Sequence, residues 1–321
     1  MSSEDVDNMN NETASANGEA SETSSPPNGV ADEQLPPAEA EPEEQLPPPQ
    51  THETEEALEN SEDTRPVVEL FVKAAVDKFR NGGCPTCHRY FLIFFILRER
   101  GLVDLVVTTF LPESPPKEVK EFSNGKHFPL VKVHKGYDSN GQDMTGTECD
   151  TIDEIETLIS RFDSEDMLDR RQSPKEAMAE KSSENLYNKF MQFLKSETAD
   201  PTPLIRNLEK VDAHLRETDN TFMVTDHLTR ADCYVLPTLQ HIRVAGKYYK
   251  SFEIPTELTC LWRYLSNVYE TDAFKESCPA DREIITHYDS KVPASAKKLM
   301  LRSKLMGDQR TFSIPSEVNG C

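Results

Sequence analysis

The stretch Cys84-Pro-Thr-Cys-His-Arg-Tyr-Phe-Leu-Ile-Phe-Phe-Ile-Leu97 determines how the rest of the chain is arranged. A proline directly after Cys84, followed by the unbroken apolar run Tyr90–Leu97, predicts the start of a buried helix. Cys84 would lie where unpaired N–H groups and the positive end of the helix dipole favour a thiolate. His88 and Arg89, one turn further on, are expected to add positive charge. Cysteines in this setting commonly have pKa values of roughly 3.5–7.5, so the stretch predicts a reactive thiol.

Cys87 follows Cys84 by three positions, and residues at this spacing are neighbours on a helix. Cys87 could therefore act as the thiol that resolves a disulfide formed by Cys84. Two other interpretations stay open: an inert buried pair, and half of a zinc site, which would need a second pair of ligands. No metal site is predicted, because the remaining cysteines occur singly. They are Cys149, Cys233, Cys260, Cys278 and Cys321.

A strand, a glycine loop, a Cys-x-x-Cys motif and a helix, in this order, open a thioredoxin-like fold. Val67–Lys73 is an apolar, strand-like run that ends shortly before Gly82-Gly83. Leu102–Phe110 is rich in β-branched residues and predicts the next strand. Phe128–Pro129 opens another strand, at the place where thioredoxin-like folds hold a cis-proline that faces the cysteine pair. The sequence therefore predicts an α/β thioredoxin-like domain over residues 66–162.

Asp150 and Thr151 stand at the entry of a helix predicted over Ile152–Phe162, and both are good N-cap residues. In a glutathione-binding thioredoxin fold, this helix N-terminus receives a carboxylate of the peptide ligand. A cap without any ligand remains the alternative. The rest of the domain is predicted to hold a short helix over Lys117–Phe122 and a weak strand over Gln142–Glu148.

Beyond this domain the pattern changes to that of a helical bundle. Residues 163–183 are charged and weakly patterned, and we expect a linker there. From Glu184 the apolar residues recur with a period of 3.6, which predicts an all-helical domain over residues 184–290. Thr229-x-x-Asp232 is a capping box at the start of its most apolar helix. The predicted helices are Asn185–Leu194, Pro203–Leu215, Ala231–Tyr249, Thr256–Tyr269 and Asp281–Tyr288.

Both ends of the chain are predicted as tails. Of the 57 acidic residues, 18 lie in residues 1–65 beside a single arginine, Arg65, whereas residues 66–321 hold 39 acidic and 34 basic residues. The first tail is poor in apolar residues and is expected to be disordered, either as a spacer or as a docking site for cytoskeletal or other protein partners. Residues 291–321 are expected to form a short basic helix over Lys297–Lys304 and then to fray. Without a broad basic face, nucleic acid is not an expected partner.

The composition predicts a cytoplasmic protein. The N-terminus is acidic and lacks the apolar core of a secretory signal. The apolar run Tyr90–Leu97 is short, since a spanning helix needs about 20 residues. Extending it through Val107 would enclose four charged residues, each costing about 2.5–3.5 kcal/mol at mid-bilayer. Seven cysteines with one Cys-x-x-Cys do not suggest a secreted disulfide framework.

Six blocks of the sequence resemble the chloride intracellular channel (CLIC) family, in order and over about residues 66–290. The blocks are Val68–Ala74, Cys84–Pro85, Phe128–Pro129, Thr229–Cys233, Tyr264–Asn267 and Ser277–Asp281. The resemblance implies the architecture of an omega-class glutathione transferase, in which a thioredoxin-like domain precedes an all-helical C-terminal domain. It also implies a soluble form with glutaredoxin-like, glutathione-dependent oxidoreductase activity. A form associated with plasma or intracellular membranes, to which chloride-channel activity is assigned, is implied as well.

The same resemblance implies roles for single residues, with glutathione as the cofactor. Cys84 would be the cysteine that glutathione caps, and Phe128–Pro129 would pair with the glutathione backbone. Asp150 and Thr151 would take the γ-glutamyl end, and Lys73 would line the charged rim of the pocket.

Two departures from the family pattern are visible. Many members have another residue where this chain has Cys87, and a dithiol makes an internal disulfide possible. The acidic loop that vertebrate members insert before the capping box is almost absent, because Arg216–His227 is short. Together with the acidic tail, this is similar to an invertebrate branch. A scaffold that keeps the fold for partner docking, without enzymatic activity, remains the alternative.

Overall fold

The structure, a computed structural model, describes residues 65–162, 174–198, 200–295, 307–316 and 318. The predicted acidic tail, apart from Arg65, and the predicted basic helix Lys297–Lys304 lie outside the described residues. The domain limits predicted from the sequence stay predictions.

The first part of the described chain is a four-stranded mixed sheet with helices on it, as the predicted thioredoxin-like fold requires. Its strands are β1 Val67–Lys73, β2 Asp104–Phe110, β3 Leu130–Lys135 and β4 Glu148–Cys149. Its helices are α1 Pro85–Glu99, α2 Lys117–Phe122 and α3 Ile152–Phe162. The strand order is β2-β1-β3-β4, with β1 parallel to β2 and β3 antiparallel to both β1 and β4.

Helix α1 is apolar around most of its circumference because it is buried on several sides. It packs on β1 and β2, and its other faces meet two helices of the C-terminal part. Leu92, Ile93 and Phe94, three consecutive residues, are all fully buried. A helix that is apolar on nearly every side is one that other elements or a membrane bury. This explains why the run from Tyr90 to Leu97 needs no membrane to bury it.

The second part is all-helical, as predicted. Its helices are α4 Pro174–Ser183, α5 Leu186–Lys195, α6 Thr202–Thr218, α7 Arg230–His241, α8 Lys247–Lys250, α9 Thr259–Glu270, α10 Asp272–Ser277 and α11 Asp281–Tyr288. The predicted capping box at the start of α7 is present. The Asp232 carboxylate accepts a hydrogen bond from the backbone N–H of Thr229 at 2.8 Å. It also accepts from the Tyr264 hydroxyl at 2.9 Å, so this fully buried cap ties α7 to α9.

Several elements differ from those predicted. The helix expected over Ala231–Tyr249 is interrupted, since the π-helical turn Ile242–Gly246 separates α7 from α8. The strand expected over Gln142–Glu148 is wrong in extent, and only Glu148–Cys149 pairs with β3. The preceding residues turn instead, because the carboxylate of Asp138 accepts the backbone N–H groups of Asn140 and Gln142, both at 2.9 Å.

Two segments that the sequence did not present as ordered are packed on the helical part. The second half of the expected linker, Pro174–Ser183, is helix α4, which packs on α6 and α7. The expectation that the last residues fray is wrong for residues 307–316. Phe312 and Ile314 of this segment pack against the hydrophobic core.

Candidate active site

The topology of the sheet brings the predicted site residues to one edge. Because β3 runs antiparallel to both β1 and β4, the end of β1, the start of β3 and the end of β4 meet there. Lys73 ends β1, Pro129 directly precedes β3, and Asp150 directly follows β4. Neighbouring strands lie about 4.8 Å apart, so these positions span only a short stretch of the edge.

The peptide bond Phe128–Pro129 is cis, as the sequence predicts. The Phe128 ring lies on the Phe110 ring at the end of β2, with the centroids 4.8 Å apart. The bond thus lies beside strand β1, which is followed by the loop that leads to Cys84.

Cys84 is the N-cap residue of α1 and is half-buried. The loop before it folds back on β1, since the backbone N–H of Gly82 donates to the carbonyl oxygen of Lys73 at 2.7 Å. Gly83 packs directly on α11. A Cβ atom at this position would lie 2.1 Å from the carbonyl oxygen of Glu283, so only glycine permits the approach. The position of Cys84 therefore depends on both parts of the chain.

The environment of Cys84 lowers its pKa to about 6. The largest cause is the hydrogen bond from the Cys87 thiol, which outweighs burial. The sulfur makes no regular capping hydrogen bond, yet the backbone N–H groups of Cys87 and Thr86 and the charge of Lys73 also lower this pKa. Burial raises the pKa of Cys87 well above its usual value, and the neighbouring Cys84 adds to the rise. At neutral pH the pair therefore consists of a thiolate at Cys84 and a thiol at Cys87.

The expectation that His88 adds positive charge is wrong. Burial, and next the charge of Arg310, lowers the pKa of His88 to about 3, so the ring is neutral. The side chain points away from solvent and lies against Phe274, with ring centroids 5.3 Å apart. Arg89 lies over the Tyr234 ring, 4.0 Å from its centroid. The charge of Lys73, by contrast, lowers the pKa of Cys84.

Three residues of the helical part surround Cys84 and were not found from the sequence. The charge of Cys84 raises the pKa of Tyr187 and of Tyr288, adding to the larger effect of burial. Burial lowers the pKa of Lys291, and the nearby Cys84 partly offsets this. The Lys291 ammonium lies 2.7 Å from Nε2 of His287, whose pKa is lowered to about 3 by burial. No local motif marks these positions, because only the packing of the helices brings them to Cys84.

Asp150 and Thr151 form the N-terminal cap of α3. Their backbone N–H groups both donate to the Glu154 carboxylate at 3.1 Å. A carboxylate of glutathione at this end would therefore compete with Glu154 for the same donors. The half-buried thiolate of Cys84 and the cis bond before Pro129 fit a thiol peptide. The N-terminus of α3 fits such a peptide only if the Glu154 carboxylate gives up its hydrogen bonds to the backbone N–H groups of Asp150 and Thr151.

A cavity of about 850 Å³ lies between the sheet part and the helical part. One wall holds Glu156, which accepts hydrogen bonds from the hydroxyls of Tyr90 at 2.5 Å and Tyr234 at 2.8 Å and pairs with Arg230. Tyr187, on whose pKa the charge of Cys84 acts, also lines the cavity, whereas Cys84 and Cys87 are not among its lining residues. Its volume is in the range of small-molecule sites.

The described residues contain neither a candidate membrane span nor a candidate metal site. None of the helices described combines the length and apolar character needed to cross a membrane. Among the same residues, no three His, Cys, Asp or Glu side chains are grouped so that they could hold a metal ion. All six described cysteines are free thiols.

Known proteins are similar to this chain in sequence and in fold. The model of the CLIC-like N-terminal domain matches residues 66–145. The chain is 34% identical over 254 residues to the chloride intracellular channel Clic of Drosophila melanogaster, covering 73% of this chain and 85% of the relative. The crystal structure of the CLIC homologue EXC-4 from C. elegans is similar with a TM-score of 0.64 at 28% identity, covering 79% of this chain and 96% of EXC-4. Dehydroascorbate reductase of Chlamydomonas reinhardtii, at 22% identity, shares the fold with a TM-score of 0.57 over 70% of this chain and 99% of its own. The chain therefore belongs to the chloride intracellular channel family.

Proposed function

We propose that this chain is a glutathione-dependent thiol–disulfide oxidoreductase of the glutaredoxin type, acting in the cytoplasm with Cys84 as its nucleophile. The observation that carries the proposal is the position of Cys84, a half-buried sulfur at a helix N-terminus, where its surroundings lower its pKa to about 6. At pH 7 most of this thiol is ionised, and the thiolate is the form that attacks disulfides.

The reaction consists of three exchanges. The Cys84 thiolate attacks one sulfur of a substrate disulfide, so a bond to Cys84 forms while the disulfide bond breaks and the second sulfur leaves as a thiolate. A thiolate of glutathione then attacks the mixed disulfide and releases Cys84. This leaves a mixed disulfide of glutathione and the substrate, and a second glutathione thiolate attacks it, so that oxidised glutathione forms and the remaining substrate sulfur leaves as a thiolate. The two electrons given to the substrate are thus supplied by two glutathione molecules. Cys87 can take the resolving role instead of glutathione, although burial, with a further contribution from Cys84, raises its pKa.

The residues that would hold glutathione are those at the sheet edge. The backbone at Phe128–Pro129 would pair with the peptide, the N–H groups of Asp150 and Thr151 would take its γ-glutamyl carboxylate, and Lys73 would favour its negative charge. The cavity of about 850 Å³ beside Tyr187 has room for the disulfide substrate.

A coupled assay with glutathione, glutathione reductase, NADPH and hydroxyethyl disulfide tests the proposal. We expect turnover in the wild type, none above background for Cys84→Ser, and substantial turnover for Cys87→Ser. Mass spectrometry after treatment with oxidised glutathione should place the adduct on Cys84. Wild-type turnover at background would leave the scaffold interpretation. Dehydroascorbate is a second substrate to test, because a dehydroascorbate reductase shares the fold.

A second candidate is anion conduction by a form associated with plasma or intracellular membranes, which the name of the Drosophila relative favours. The segment from Cys84 to Val107 would then leave the fold and line the pathway, with Arg98 facing the anion. Chloride flux into liposomes, with and without oxidant, tests this. Flux that is the same in wild type, Arg98→Glu and Cys84→Ser would exclude the segment as the pathway.

A further inference from the structure

A segment near the C-terminus, residues 308–314, lies in a groove of the helical part; we call it the strap. The Phe312 ring of the strap stacks on the Tyr269 ring, with centroids 5.1 Å apart and planes at 27°. It also meets the Phe274 ring at 5.9 Å. An aromatic side chain held by two others is the kind of anchor that dominates the recognition of short peptides.

Residues of the groove also form hydrogen bonds with the backbone of the strap. The backbone N–H of Asp281, at the start of α11, donates to the carbonyl oxygen of Gln309 at 2.9 Å. The Asp281 carboxylate accepts from the backbone N–H of Thr311 at 3.1 Å and from its hydroxyl at 2.6 Å. Arg243 donates to the carbonyl oxygen of Ser313 at 2.6 Å. Hydrogen bonds to both backbone donors and acceptors fix an extended peptide in one direction.

The start of the strap is tied to the loop that precedes Cys84. The Asp308 carboxylate pairs with Arg80 of that loop and with Arg282, the latter at 3.4 Å. Arg282 in turn pairs with Asp77 of the same loop at 3.1 Å. The Glu283 carboxylate accepts from the backbone N–H of Val76 at 3.1 Å. The strap, the start of α11 and the loop therefore form one continuous network.

We propose that the groove is a peptide-binding site, which the chain fills with its own residues 308–314, and that filling it fixes the loop before Cys84. The ligand that it recognises is an extended peptide with an aromatic side chain four positions after an acidic one. Residues 308–310 of the strap are exposed and Phe312 is half-buried, so the segment can be exchanged for another peptide without opening the core. This inference does not depend on the oxidoreductase function.

The first test measures binding in trans. A fluorescently labelled peptide of residues 307–316 is titrated into the full-length wild type and the full-length Phe312→Ala variant. Because an intramolecular ligand competes at a high effective concentration, we expect at least about tenfold tighter binding to the variant. The same peptide with alanine in place of its phenylalanine should bind neither chain. Equal binding of the native peptide to both chains would overturn the peptide site.

The second test measures the coupling to the loop. In full-length Asp308→Asn, the amides of Val76, Phe79 and Arg80 should exchange with solvent deuterium several-fold faster, since their acceptors belong to the network that Asp308 completes. The matched control is Glu209→Gln, which removes an exposed carboxylate on α6. Unchanged exchange at all three amides, with the strap still bound, would overturn the coupling.

Discussion

Glu154 and Thr151 form reciprocal hydrogen bonds at the start of α3. The Glu154 carboxylate accepts from the backbone N–H of Thr151 at 3.1 Å, and the Thr151 hydroxyl accepts from the backbone N–H of Glu154 at 3.3 Å. The hydrogen bond from the Thr151 side chain, followed by those from the backbone of Asp150 and Thr151, lowers the pKa of Glu154. The sequence left a cap and a ligand site as alternatives. The structure shows the cap, so any ligand carboxylate must compete with an internal one.

Glu154→Ala is expected to tighten glutathione binding. It frees the N–H groups of Asp150 and Thr151 for the γ-glutamyl carboxylate, and a hydrogen bond to a charged group contributes about 1.5–3 kcal/mol, an upper limit at this exposed site. The loss of the cap should destabilise the fold by about 1 kcal/mol. Calorimetric titration with glutathione and urea unfolding measure the two effects.

Glu154→Gln is the control, because its amide oxygen still accepts the backbone N–H groups while its charge is gone. It should change glutathione affinity less than Glu154→Ala. Weaker binding to Glu154→Ala would mean that this end of α3 does not take the ligand.

Cys87→Ala is expected to raise the pKa of Cys84 from about 6 toward its usual value, because it removes the largest cause of the lowering. The measurement is the pH dependence of Cys84 alkylation by iodoacetamide. Cys87→Ser is the matched variant, since a hydroxyl still donates a hydrogen bond to the thiolate, and its pKa should stay close to that of the wild type. Both variants lack a second thiol, so a rise in both would show that the hydrogen bond is not the cause.

The residues of the site that the sequence revealed are those set by local structure. Cys84 follows Gly82-Gly83 and begins a helix, and Pro129 opens a strand, so neighbouring residues along the chain determine their conformation. Tyr187 and Lys291 could not be found in this way. Tyr187 belongs to α5 and Lys291 follows α11, so both are distant from Cys84 in sequence, and only the folded chain brings them close enough for its charge to act on them. Lys291 also lies one residue beyond the predicted end of the helical domain.

Helix α4, the burial of His88 and the strap could not be predicted either, because little in the local sequence pattern indicates them. In α4 only Glu176 and Ala179 are buried, so a true helix shows almost no apolar periodicity. His88 directly precedes Arg89 and the apolar run from Tyr90, so the sequence indicates a positive charge near Cys84, although its neighbours in space bury the ring. The strap has one aromatic anchor, Phe312, and its other contacts are made mainly by its backbone, which a sequence pattern cannot display.

His88→Leu is expected to make the protein more resistant to acid. Both ring nitrogens of His88 are buried without a hydrogen-bond partner among the described residues. Its folded pKa of about 3 lies below the usual value of 6.5, so the unfolded chain binds a proton that the folded chain does not. This contribution to stability is complete above pH 6.5 and is lost as the pH falls toward 3.

Urea unfolding at pH 7 and at pH 4.5 measures the effect of His88→Leu. The free energy of unfolding should fall less between these two pH values in the variant than in the wild type. His134→Leu is the control, because this half-exposed histidine, which lies 2.7 Å from Glu69, has no such burial. Parallel pH profiles for wild type and His88→Leu would contradict the prediction.

Arg230→Met tests the buried ion pair that joins the two parts of the chain. Arg230 and Glu156 are 6% and 8% exposed, and removing one partner leaves a buried charge, so we expect a loss of about 3–5 kcal/mol at pH 7. In the wild type, burial would raise the pKa of Glu156, but the hydrogen bond from Tyr90 and the charge of Arg230 outweigh it and lower this pKa. This stabilises the fold above the unfolded pKa of a glutamate and is lost as the pH falls through the folded one.

In Arg230→Met the effect of pH should reverse. The charge of Arg230 then no longer opposes burial, so the pKa of Glu156 rises and the carboxyl gains a proton as the pH falls toward 4. The stability deficit of the variant should therefore shrink between pH 7 and pH 4, as followed by the fluorescence of Trp262, the single tryptophan. Adding Glu156→Gln, which keeps an acceptor for Tyr90 and Tyr234, should recover part of the loss at pH 7. A deficit that stays constant with pH would mean that packing of the arginine side chain, rather than its charge, holds the two parts together.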